Sequence, residues 1–182
     1  MSNLLGLEEE KPETSVSASD AIDSGFDPEW ETRAKSGANW FYWIAGLSAI
    51  NSIAFAAGAN FHFLAGLGLT EIADAVIAAS IEQGAPTALR ILSIIFGLIL
   101  VIGFALIGYY AGKLFKAAFL IGIVVYVFDG LIVLVIGDYF MAGFHAFALF
   151  FIIRGFLVCR ELKAYQRANR ASSVPPPPPA SV

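Results

Sequence analysis

Three ionisable side chains lie inside long apolar stretches of this chain: Asp129, His145 and Arg154. A charge in a hydrocarbon layer is costly, so each needs a partner, a water path or a function. At 1.5 Å per helical residue, Asp129 lies about 24 Å beyond Lys113, and His145 about 10 Å past the turn at Gly137-Asp138. Two helices joined by so short a turn run antiparallel, which brings both side chains to similar depth. A direct Asp129–His145 contact is therefore expected, with Tyr126 one turn from Asp129 on the same face. An imidazole against a carboxylate has the chemistry of a proton relay or a divalent-ion site. It is equally the chemistry of a buried hydrogen-bonded pair that fixes helix register. No H-E-x-x-H, phosphate-binding glycine loop, cysteine pair or haem-attachment motif occurs, so no metal or cofactor is assigned.

Two further groups are candidates. His62, Glu71 and Asp74 form a possible acidic cluster on the outer face, above the Asp129–His145 pair. Arg154 follows His145 by nine residues, which turns it to the opposite side of the helix, about 9 Å short of Arg160. With Arg160 and Lys163 it suits lipid headgroups or a structural role, its long stem letting the guanidinium snorkel. Separately, Gly46-Leu47-Ser48-Ala49 resembles the serine motif of rhomboid intramembrane proteases, with His145 in the last span as the implied base. That family uses at least six spans. Here Ser48 lies about 13 Å from the inner face and His145 about 20 Å from it, so the two do not meet. A non-enzymatic reading is preferred.

The elements that carry these residues are four apolar runs, 39–59, 91–111, 117–136 and 139–158. Each is about 20 residues, enough to cross a bilayer core of about 30 Å. The chain has 182 residues, 58% of them hydrophobic and 14% charged. Its mean hydropathy is +0.73. Soluble domains carry about 25% charged residues, so the expected fold is all-α, an integral membrane four-helix bundle. Between the first two spans, Glu71, Asp74, Ala78 and Glu82 share one stripe of a short helix over about 69–83. It is too polar to span and is expected along the interface or capping the bundle.

The flanks differ in charge. Residues 1–35 read as an acidic, largely disordered tail with no secretory leader, although Asp27-Pro28 looks like the start of a short surface helix ending near Ser36. The membrane domain covers 36–162, and 163–182 is basic, helical to about Asn169, then Pro-rich. Trp40, Phe41, Tyr42 and Trp43 form an interfacial aromatic belt. Ala45, Ala49, Ser52 and Ala56 make a small-residue stripe, and Gly108 and Gly112 a small-xxx-small pair, both suited to close helix contact. Lys113, Lys116 and the basic residues flanking both termini put both termini in the cytoplasm, with Arg90 the one exception. A single cysteine, Cys159, excludes an intrachain disulfide and is read as an unmodified thiol. The expected function is a small multi-pass scaffold or accessory subunit in a plasma membrane of bacterial inner-membrane type. Its partners are the lipid bilayer and itself or a larger membrane protein, with no nucleic acid. The alternative is a small transport or permeation protein built on Asp129 and His145.

Overall fold

The structure, a computed structural model, describes residues 29–57 and 66–172, and these are all-helical. The helices are α1 (Trp30–Ala56), α2 (Gly68–Glu82), α3 (Ala88–Gly112), α4 (Lys116–Ile136) and α5 (Tyr139–Ser172). Three of them, α3, α4 and α5, are long and apolar enough to cross a membrane. Helix α1 is not among these; its acidic and basic first turns and its Ser and Asn residues dilute its apolar character.

The separate surface helix and first span expected before Ala59 are instead one continuous α1. Pairs four residues apart support its first turns: Arg33 with Glu29 at 2.6 Å, and Lys35 with Glu31 at 2.6 Å. Ala34 and Ala38 are fully buried, which holds the segment against the bundle rather than on a surface. Helix α5 likewise runs beyond its apolar part, and Trp30 meets Tyr165 edge-on at 5.8 Å. The outer turns of α1 and α5 thus form an antiparallel extension of the bundle.

The aromatic belt is only partly a belt. Trp43 is exposed, but Phe41 is fully buried. Its ring sits beside Phe104 and Phe119 at 6.3 and 6.1 Å between centroids. A Cβ on Gly122 would fall 2.4 Å from that ring and one on Gly108 3.2 Å from the Phe41 Cβ. Phe41 therefore locks α1 against α3 and α4 through a slot that the glycines leave open.

The small-residue stripe works inside the chain. Ala45 is buried in the core and Ser52 faces Gly97 of α3, where an added Cβ would lie 3.0 Å from the Ser52 Oγ. Ala49 and Ser52 line a gap between α1 and α3. Ala56 lies outside the described side chains. Gly108 faces α1, whereas a Cβ on Gly112 would meet nothing within 4 Å. At the hairpin, Gly137 closes α4 with φ +92°, and the Asp138 carboxylate accepts the Met141 N–H at 2.9 Å to open α5.

Candidate functional site

Helix α2 has no capping side chain of its own. Its cap position is Leu67, whose side chain has no oxygen; the Leu67 carbonyl accepts the Thr70 N–H, and the Gly68 and Leu69 amides need an acceptor from elsewhere. The acceptor is Asp129 of α4. Its Oδ2 accepts the Gly68 N–H at 2.9 Å and its Oδ1 the Leu69 N–H at 2.8 Å. The carboxylate also meets the positive end of the α2 dipole. Asp129 lies seven residues before the end of α4, about 10 Å down the helix. The first turn of α2 is thus anchored against α4 at the level of Asp129.

Glycines make the entry possible. Gly66 has φ +150°, a conformation side chains avoid. A Cβ on Gly68 would fall 2.0 Å from Val133 Cγ2. Between them, the Leu67 N–H donates to Ser48 Oγ at 2.7 Å, and Leu67 itself is buried. Non-helical backbone at this depth is tolerated because protein groups satisfy it. Gly68→Ala is expected to lower stability by about 1–3 kcal/mol through overpacking. Val133→Ala in the same chain should recover much of that loss, because it removes the methyl in the way. Thermal melts of both single variants and the double variant check this, and additive losses would refute it.

The expected Asp129–His145 contact is present, with His145 Nε2 at 2.7 Å from Asp129 Oδ2. His145 Nδ1 lies 2.8 Å from the Met141 carbonyl, which only accepts, so Nδ1 carries a proton. The Tyr126 ring stacks on the imidazole, 4.4 Å between centroids and 20° from parallel. The Tyr126 hydroxyl has no hydrogen-bond partner among the described residues, so Tyr126 joins the centre as a ring and not as a donor. A Cβ on Gly130 would lie 3.1 Å from the His145 Cβ, so this glycine lets α5 approach α4 at the same level. The pair is buried, with Asp129 5% exposed and His145 1%, and His145 is among the residues that line a cleft of about 400 Å³ between α4 and α5.

The outer-face cluster divides. Glu71 accepts the Asn51 Nδ2 hydrogen bond at 2.9 Å, tying α2 to α1. Asp74 turns inward to accept the Ser93 hydroxyl of α3, while Val76 on the same helix faces out. His62 lies outside the described residues. A cleft of about 290 Å³, lined by Glu71, Asp138, Gly68 and Met141 among others, runs beside α2. Burial pushes the Glu71 carboxyl up from 4.5 to about 7, helped by the charges of Asp138 and Asp129. The folded chain thus holds this proton more tightly than the unfolded chain does. Glu71 therefore contributes stability below pH 4.5 that is lost as pH rises to about 7. Glu71→Gln is expected to flatten that part of the stability–pH curve, measured by melts across the window.

At the opposite end, Arg154 is exposed and has no hydrogen-bond or ion-pair partner among the described residues. Arg160 is exposed as well, and Lys163 is half-buried. Cys159 is buried, its thiol directed at the Leu114 carbonyl at 3.5 Å, which leaves it inaccessible to acylation. Ser48 of α1 accepts the Leu67 N–H, so its hydroxyl oxygen serves the backbone just before α2. No group of three or more His, Cys, Asp or Glu side chains among the described residues could hold a metal ion. Compared with known protein families, curated proteins and solved structures, the chain matches none of them. Its three membrane-compatible helices mark it as a membrane protein, and its chemistry has to be argued from the residues alone. Sequence reasoning missed Gly68 and Leu69 as the partners of Asp129. The signal for them was the helix start at an uncapped Leu between two glycines.

Proposed function

We propose that this is a non-enzymatic membrane scaffold or accessory subunit, with α1 as a fourth span and both termini on the cytoplasmic side of a bacterial-type inner membrane. The observation that supports it is the hydrogen bonding of the buried centre. Both Asp129 oxygens and both His145 nitrogens are engaged by groups of the same chain. Ser48, Asn51, Asp74 and Ser93 are engaged as well. The buried polar residues thus hold α2 in the bundle. The exposed apolar faces of α3, α4 and α5 offer contact surfaces to lipid or a partner helix.

One observation favours transport as a second reading: the cleft beside Glu71 and Asp138 approaches the backbone of Gly68 and Met141, next to the pair. Reconstitution into liposomes with a trapped pH dye separates the two. The scaffold reading expects proton flux equal to that of empty vesicles. Flux that Asp129→Asn abolishes in a folded protein would replace it with transport. In native membranes, site-directed cross-linking from the α3 and α4 faces should give discrete higher-mass species.

A further inference from the structure

Helices α1 and α5 cross most closely where neither carries a side chain. A Cβ on Gly37 would lie 2.6 Å from the Gly155 Cα. Beside this crossing is a cleft of about 230 Å³ lined by Arg33, Ser36, Gly37, Phe151, Arg154 and Gly155. That is room for several water-sized groups, each of which takes about 30 Å³ in the liquid. The glycine pair forms its floor, two guanidinium groups and a hydroxyl supply its polar atoms, and Phe151 supplies an apolar wall.

The charges point to an anion. Arg33 is paired with Glu29, and Lys35 with Glu31. Arg154 has no acidic or carbonyl partner among the described residues, although it lies next to the buried Gly155. Its depth follows from its neighbours: Trp40 stacks on Phe151 at 5.0 Å and 15°. Gly37 is one turn outward of Trp40, and Trp is the residue type that settles at headgroup level. Arg154 therefore stands at the membrane edge, on the side where the chain becomes polar. A cation there with no partner among the described residues suits phosphodiester oxygens, and a guanidinium fork binds two of them at once.

We propose that this cleft binds the phosphodiester headgroup of an anionic phospholipid, with Arg154 and Arg33 flanking the phosphate, Ser36 donating a hydrogen bond and Phe151 lying against the start of the acyl chains. The site is independent of whether the bundle acts as a scaffold or a transporter. It differs from general attraction to the basic tail, because Arg160 and Lys163 do not line it.

The test is native mass spectrometry of the full chain released from nanodiscs of phosphatidylcholine doped with phosphatidylglycerol. Wild type should retain one phosphatidylglycerol. Arg154→Gln should retain it about tenfold less, the scale of one charge-assisted contact. Arg154→Lys should fall between them, while Arg160→Gln and Lys163→Gln stay near wild type. Should Arg154→Gln fail to fold, Arg33→Gln and Arg154→Lys carry the same test. Equal losses across Arg154, Arg160 and Lys163 would overturn the site in favour of diffuse attraction. Displacement of the lipid by inorganic phosphate would overturn it in favour of a soluble anion.

Discussion

Asp129→Ala is expected to destabilise the fold by about 3–5 kcal/mol, the range for removing one partner of a buried ionisable pair. The substitution leaves three donors without an acceptor: the Gly68 and Leu69 amides and, in its protonated form, His145 Nε2. It also removes the only side-chain cap that the start of α2 has among the described residues. The local signature should be as clear as the global one. Amide exchange at Gly68 and Leu69 should rise to that of a frayed helix end, while α3 and α5 stay protected. His145→Ala should cost less, since Asp129 keeps its two amide donors. A double-mutant cycle between positions 129 and 145 should show a coupling of about 0.5–3 kcal/mol. An Asp129→Ala protein that melts like wild type, with the Gly68 and Leu69 amides still protected, would remove the case for an anchored α2.

The Asp129–His145 contact was legible in the sequence because a two-residue turn leaves little freedom in the register of α4 against α5. A rise of 1.5 Å per residue then gives the depth of each side chain. The three most apolar helices were legible for a similar reason, since their lengths are set by a thickness that does not depend on the rest of the fold. The placement of α2 was not. Its pattern puts Glu71 and Asp74 on one stripe, and the usual inference sends such a stripe to water. Here the first two members of the stripe turn inward, because Ser93 and Asn51 wait in the bundle to receive them, while Glu82 stays exposed. Periodicity reports which residues share a face but not what the face meets. Phe41 misleads in the same way. Among three other aromatics it looks interfacial, and only the glycines at 108 and 122, far away in sequence, make a slot for its ring.

Glycine patterns are ambiguous for a related reason. Gly108 and Gly112 have the spacing of a docking motif, yet one packs on α1 and the other faces open space. The backbone-to-backbone approach of Gly37 and Gly155 has no glycine spacing motif on either helix. A lone glycine in a helix costs up to about 1 kcal/mol relative to alanine, so its presence marks either tolerance or a contact. Only the partner helix tells which.

Gly155→Ala should therefore be the more damaging of two chemically identical changes in α5. A Cβ at position 155 would meet the Gly37 Cα at 2.6 Å and the Ala34 carbonyl at 3.2 Å. Both are backbone atoms of α1, and no rotamer change clears them. The helices must separate, and overpacking of this kind costs about 1–3 kcal/mol or more. Gly143→Ala, on the same helix with nothing within 4 Å of the added carbon, should gain up to about 1 kcal/mol from helix propensity. The difference between the two variants isolates the contact, since propensity is common to both. Separation should also be visible locally. Trp40 stacks on Phe151 and Trp30 packs on Tyr165, on either side of the crossing. Tryptophan emission should shift in Gly155→Ala and not in Gly143→Ala. Equal stability and equal emission in the two variants would mean that α1 and α5 are farther apart than the glycine pair implies. The continuous α1, which depends on Ala34 and Ala38 packing at the same face, would then need a different support.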